Sequence, residues 1–420
     1  MANSRSIVIL LFVSMVLVPF SSNLPAVPFI EGDESEEQID IVAREMWHMK
    51  DNGIVLNEAQ AAAFSATGLG RGSNTSWSAA GGSEDRDFIY EMVEDTDGSI
   101  IVAGSIFVDC WLGSITVQTK GLGDIIVAKL DRNGTWLWAK STGTAIAYDE
   151  ARGVDIDDDG DIYITGYLNG TVDFGNTTLI SDKFDGYIAK LNGSNGNWIY
   201  AIKYGGLDVD VGWDLVVDSE ENVYVTGYYQ NLTNFGPHQL SGGNPSSDSK
   251  FFVAKYNQSA MVPWEWAFSA HGDSLSTGFQ LVLDNQENVY VVGYNTGTVS
   301  WHTNFTSSTI GTWNGVVVKY SKAGEFQWGR AVGAAQACFG GSCGVYFNNV
   351  VIDSQQRVVV GGNQIGDVNY GGLHQGVGNW DIVVSRWRSN GDHDWYATTG
   401  SVEDDRVQAL GLNPDDRPVV

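Results

Sequence analysis

Residues 216–229, VVDSEENVYVTGYY, hold the pattern that decides the fold. An apolar run ends on an acidic turn, and a β-branched and aromatic run follows at once and closes on glycine. Two such runs joined by a few Asp, Asn, Ser and Gly residues signal a β-hairpin. The same pieces recur as GVDIDDDG and DIYITG from 153, QLVLDNQE and NVYVVG from 280, and NVVIDSQQ and RVVVGG from 349. After each, a looser Gly, Thr and Asn stretch leads to a strand with a basic tip: DIIVAKL (124–130), DGYIAKL (185–191), KFFVAKY (250–256), NGVVVKY (314–320) and DIVVSRW (381–387).

Outward again, each unit is bounded by an aromatic residue followed closely by glycine. These pieces are WSAAGG (77), WAKSTG (138), YAIKYGG (200), WAFSAHG (266), WGRAVG (328) and WYATTG (395), at steps of 61, 62, 66, 62 and 67 residues. A fixed period means units that bury their apolar faces mainly against one another. Four short strands per unit, with meander-length turns and no amphipathic helix between them, predict antiparallel blades. The expectation is an all-β protein, a β-propeller of four-stranded blades of about 62 residues. Five are complete and a sixth is partial, in a ring of six or seven when closed. Fifteen Trp to fill the wedges between blades and 51 Gly to make the bends fit that reading.

The quoted residues resemble the SBBP-type β-propeller repeat, whose signature runs V-D-x-x-G-N-V-Y-V-T-G, a D-F-G-containing loop, then D-x-F-V-A-K-L-D-x-x-G-x-x-x-W. The resemblance spans 77–420 and is best in VDFG, DGYIAKL and VVDSEENVYVTGY; the AAQACFGGSCGVYF stretch departs furthest. It implies a fold and no catalytic residues.

The front of the chain differs. Residues 7–20, IVILLFVSMVLVPF, follow a polar start with Arg5 and precede SSNLPAVPF, the layout of a secretory signal peptide assigned to 1–26. Residues 27–74 read as an acidic, partly helical tether or pro-region, and 75–420 as the repeat domain. Closure of the ring rests either on AAFSATGL (62–69) or on chain beyond RPVV; the second is preferred, because AAFSATGL lacks the V-A-K pattern. A formal net charge of -28 repels nucleic acid and anionic headgroups, and is read as a solvated surface suited to an exported protein.

Candidate chemistry is sparse. Cys338 and Cys343 flank FGGS and are expected to form a local disulfide in an oxidising compartment, leaving Cys110 as a small buried hydrophobe. Asp155, Asp157 and Asp159 in DIDDDG form a D-x-D-x-D-G run that suits a calcium ion, although the distal Glu of an EF-hand loop is missing and an acidic hairpin turn is the rival reading. GGSCG (340–344) matches a nucleophile elbow by letter, in a place where no helix is expected. The six histidines share no repeat position.

The expected function is an exported, non-enzymatic propeller scaffold that binds a glycan, peptide or cell-envelope partner, secreted or held at the cell surface. No cofactor is expected apart from that calcium. The rival is an extracellular polymer-degrading hydrolase or lyase with carboxylates at the channel mouth. Carboxylates gathered in the channel favour the rival; apolar filling counts against it.

Overall fold

The computed structural model describes residues 79–420, apart from 243–248, 273, 337–342, 371 and 378. Every regular element among the described residues is a strand, and none of them forms a helix long and apolar enough to cross a membrane. Five times the chain makes a four-stranded antiparallel meander. Repeat 1 uses Asp87–Glu94, Ile100–Ile106, Asp124–Leu130 and Trp136–Thr142. Repeat 2 uses Glu150–Ile156, Ile162–Asp173, Thr178–Leu191 and Trp198–Gly206. Repeat 3 uses Asp210–Val217, Val223–Phe235, Ser249–Tyr256 and Trp264–Ser269. Repeat 4 uses Ser276–Leu283, Val289–Asn295, Asn314–Tyr320 and Phe326–Gly333. Repeat 5 uses Gly344–Ile352, Val358–Ile365, Trp380–Trp387 and His393–Thr399. A short hairpin, Gly411–Leu412 with Pro418–Val419, starts a sixth. The leader, the acidic tether and the segment 62–69 considered for closure lie outside the described residues.

The acidic turn and the basic strand tip prove to be two halves of one device. Asp157 accepts hydrogen bonds from the N–H groups two and four residues ahead, at 3.1 and 2.9 Å, and Asp218, Asp284, Asp353 and Asn413 repeat that arrangement. This is the Asx-turn chemistry that makes Asp and Asn turn residues. Tyr163, Tyr224 and Tyr290, six residues on, donate their hydroxyls to the same carboxylates at 3.0–3.1 Å. The tip lysines complete the set: Lys190 lies 2.9 Å from Asp157, Lys319 3.1 Å from Asp284, and Lys129 2.7 Å from Asp95. The fourth residue of the turn takes a left-handed conformation, with Gly98 and Gly160 in the first two repeats and Glu221, Glu287, Gln356 and Asp416 later, at φ of 58–61°.

In four of the six aromatic-glycine pieces the glycine has a steric cause in common. A Cβ on Gly143, Gly205, Gly333 or Gly400 would stand 1.8–2.2 Å from a side-chain oxygen of Asp124, Asp185, Asn314 or Asp381, at the start of the basic-tipped strand. Those side chains are buried, as are Asp149, Asp157, Asp210, Asp214, Asp218, Asp284 and Asp353. The expectation that the acidic charge is simply a solvated surface is therefore corrected: many carboxylates are internal fittings of turns and strand ends.

Hydrophobic packing lies between repeats. Ile101 and Val127 of repeat 1 share a cluster with Ile164 and Tyr187 of repeat 2, and Tyr290 and Val317 of repeat 4 share one with Phe347 and Trp387 of repeat 5. Backbone pairing adds to this, because the tails of the outer strands reach the next repeat. Gly205 and Gly206 pair with Asn234 and Thr233, His271 with Ser300, and Ala334 with Val368. Gly81 and Gly82 do the same for repeat 1 by pairing with Leu112 and Trp111.

Candidate functional site

The first strand of every repeat carries a β-bulge, with the irregularity between Ile89 and Glu91, Ala151 and Gly153, Gly212 and Asp214, Gly278 and Gln280, and Phe347 and Asn349. A bulge leaves one residue unpaired and re-aims its side chain. Here the unpaired residues are Tyr90, Arg152, Trp213, Phe279 and Asn348. All five line one cavity of about 480 Å³, which Gln408 of the sixth unit also reaches. Five repeats thus deliver five different side chains to a single place.

In repeats 1, 3 and 4 the residue after the bulge joins neighbouring repeats. Val154 N–H donates to Glu91 Oε2 at 2.8 Å, Leu281 N–H to Asp214 Oδ2 at 2.9 Å, and Val350 N–H to Gln280 Oε1 at 2.7 Å. In repeat 2 this residue is Gly153, where a Cβ would stand 2.7 Å from Asp214 Cα, and Asp155 does the work two residues later by accepting Val217 N–H at 2.7 Å. Gln280 also donates to Glu91 Oε1 at 3.3 Å, which ties repeat 4 to repeat 1.

Glu91 and Asp214 are hydrogen-bonded to each other on the cavity wall. Burial is the main cause that raises both carboxyls, Glu91 well above the usual range and Asp214 to about 7. Two adjacent carboxylates cannot both ionise in a desolvated place, so the pair holds a proton between them.

Above this pair runs a row of rings. Trp213 meets Phe279 at 5.6 Å between centroids, Phe279 meets Tyr346 at 6.3 Å, and Tyr346 meets Trp380 at 5.3 Å. A guanidinium stands at each end, Arg152 at 4.5 Å from the Trp213 ring and Arg406 at 5.7 Å from the Trp380 ring. Arg152 is also held over Tyr90 at 3.9 Å. The four rings are half-buried, so each keeps surface open to the cavity. Several buried polar atoms of the lining residues have no hydrogen-bond partner among the described residues: Trp213 Nε1, Arg152 Nε, Asn348 Oδ1 and Asn349 Nδ2.

The residues singled out from sequence lie elsewhere. Asp155 is the clamp just described, and burial pushes its carboxyl up to about 6. Asp157 holds its turn and Lys190, and Asp159 is exposed. Among the described residues no group of three or more His, Cys, Asp or Glu side chains is placed to hold a metal ion. Cys338 and Ser342 fall outside the described residues. Cys110 is free and buried, and burial pushes its thiol up to about 12. Among the described residues no histidine lines the cavity. The cavity residues escaped notice because they share no residue type. They do share an offset: Tyr90, Arg152, Trp213, Phe279, Asn348 and Gln408 each stand five residues ahead of a turn residue, Asp95, Asp157, Asp218, Asp284, Asp353 or Asn413.

No family model matches the chain. An uncharacterized WD repeat-containing protein of Acanthamoeba polyphaga mimivirus is 28% identical over 202 residues, covering 40% of this chain; the match spans 14% of that relative's length. Among solved structures, a quinohemoprotein alcohol dehydrogenase from Pseudomonas putida is 10% identical with a TM-score of 0.33, covering 74% of this chain and 62% of its own. BamB from Moraxella catarrhalis is 12% identical with a TM-score of 0.29, covering 79% and 92%. A xylan beta-1,4-xylosidase from Bacillus halodurans is 12% identical with a TM-score of 0.32, covering 76% and 56%. Structural likenesses this distant carry no argument about chemistry, and the fold rests on strand order, inter-repeat packing and the WD repeat relative. The chain is an all-β protein made of β-propeller-type repeats.

Proposed function

We propose that the protein is an exported, non-enzymatic β-propeller scaffold of SBBP-type repeats that binds a glycan in its central cavity. The observation that carries this reading is the row Trp213, Phe279, Tyr346 and Trp380, open to a cavity whose wall also carries the polar side chains Arg152, Asn348, Arg406 and Gln408. A pyranose ring has an apolar C–H face that lies flat on an aromatic ring, and hydroxyls around its rim that both donate and accept. A concave site that sets aromatic faces beside polar side chains suits such a ligand.

The rival, a polymer-cleaving enzyme, finds its carboxylates in the cavity but not in a working arrangement. A glycosidase separates its two carboxyl groups by roughly 5–5.5 Å or 6.5–9.5 Å, with the sugar between them. Glu91 and Asp214 instead bond to each other, and each is already occupied by a main-chain N–H. Export is carried by the apolar leader, and the Cys338–Cys343 bridge belongs to the same reading. Alkylation of both thiols in unreduced secreted protein would remove the bridge.

The test is a glycan array followed by calorimetry on the ligands found, with the parent and Trp380→Ala. Binding by the parent and its loss in the variant are expected. An array without hits, or a variant that binds like the parent, overturns the reading, and turnover of a bound glycan returns the enzyme.

A further inference from the structure

We infer that the glycan taken by this cavity is an acidic one, an oligosaccharide carrying uronic-acid carboxylates. The inference rests on the glycan reading above and concerns the two ends of the ring row. In a chain of net charge -28, cations are scarce: 23 Lys and Arg against 51 Asp and Glu. Two of them nevertheless reach this one cavity from different repeats, and they stand at opposite ends of the row. A guanidinium is a fork of donors matched to a planar carboxylate.

Neither arginine is used up by its partners within the protein. Arg152 pairs with Glu150 at 2.5 Å through Nη2, while its buried Nε has no acceptor. Stacking between Tyr90 and Trp213 fixes the plane of the guanidinium, so little freedom remains to be lost when an anion arrives. Arg406 is half-exposed and touches only the neighbouring Asp404 in an ion pair, at 3.2 Å, and an exposed pair of this kind holds it weakly.

A second observation points the same way. Asn349 is 7% exposed, lines the cavity, and leaves its Nδ2 donor without a partner. Trp213 Nε1 is likewise an unanswered donor. The carboxyl pair on the wall does not supply a full two negative charges, because two adjacent buried carboxyls cannot both ionise. A ligand of sugar rings bearing carboxylates meets both features, with ring faces on the aromatic row and anions at the arginines. Single-stranded nucleic acid has stacking faces and anions as well, but its continuous charge meets a strongly acidic protein.

The experiment compares ligands that differ only in charge. Oligogalacturonate and oligomannuronate are titrated calorimetrically as free acids and as methyl esters, against the parent, Arg406→Gln and Trp380→Ala, with an oligothymidylate as a further probe. The expected result is binding of a free acid, at least about tenfold weaker binding of its ester, and a loss of about tenfold for the free acid in Arg406→Gln while the ester is unaffected, which is the size of one charged hydrogen bond. Arg406 is exposed, so its replacement leaves the fold intact. Equal binding of acid and ester, lost in Trp380→Ala, overturns the acidic class and leaves the glycan reading standing. Binding of neither, or tighter binding of the oligothymidylate, overturns both.

Discussion

The turn between the first and second strands and the bulge five residues before it occur in every repeat, yet they have opposite characters. At the turn the chemistry is nearly constant: an Asp or Asn accepts two backbone N–H groups in five of the units, three of these add a Tyr hydroxyl, and two of those three add a strand-tip lysine. At the bulge the backbone is constant and the side chain is not, running through Tyr, Arg, Trp, Phe and Asn. A residue held the same in unit after unit serves what the units have in common, which is their architecture. A residue that differs at an equivalent position, where the units point into one cavity, serves what the units do together.

The largest effect is expected where the turn is broken. Asp284→Ala removes a buried carboxylate from Lys319, Tyr290 and two N–H groups, and leaves an uncompensated cation. Loss of one member of a buried pair costs about 3–5 kcal/mol. Denaturant unfolding is expected to show a drop of that size, with ligand affinity at low denaturant unchanged. An equal loss of affinity would break the division between turn and bulge. Trp380→Ala is the converse case, with about 30-fold weaker ligand binding, the size of a hot-spot truncation, and a smaller change in stability because the ring is half-buried.

The pH dependence of stability sharpens the same comparison. Burial raises Asp214 to about 7 and Asp210 to about 8. A carboxyl whose folded value lies above its unfolded value binds more protons in the folded state. Its contribution is full below the ordinary carboxylate range and is lost as pH rises through the folded value. Melting temperature is therefore expected to fall between about pH 5 and pH 8, and Asp210→Asn and Asp214→Asn are expected to flatten that fall. Asp284, in its turn, pulls the other way. Asp284 is lowered, because its bonds to Asn288 and Lys319 outweigh a larger opposing desolvation, so Asp284→Ala leaves the slope above pH 5 unchanged. The smallest effect concerns calcium. With Asp157 committed to Lys190 and Asp155 to Val217, melting in calcium and in chelator is expected to coincide, and a selective rise with calcium that Asp157→Ala abolishes would restore the metal reading.

The strands, their order and the turns were legible because they follow from local alternation and from turn residues such as Asp218 and Asp284, which act within a few positions of themselves. The pairing of Lys190 with Asp157 was only half legible. Both ends recurred in the sequence, but their meeting depends on strands one and three being brought together through the turn. The cavity was not legible. Whether Trp213 or Asp214 is the unpaired residue depends on two residues opposing one across a ladder, and no residue type marks that. Glu91 and Asp214, 123 positions apart, meet only because the repeats curl around an axis.

The clamps between first strands also limit how such a chain can be rearranged. Glu91, Asp155, Asp214 and Gln280 do one job with side chains of different length, set at two positions in the strand, and the gap too narrow for a Cβ lies only where Gly153 faces Asp214. Each junction has its own lock. Exchanging repeats 2 and 4 would press Gln280 into a space that admits only glycine and leave Gly153 with nothing to offer Val350. The units are alike enough to share a pattern and unlike enough that their order is part of the message, so a shuffled array of the same five repeats is a different and less stable object.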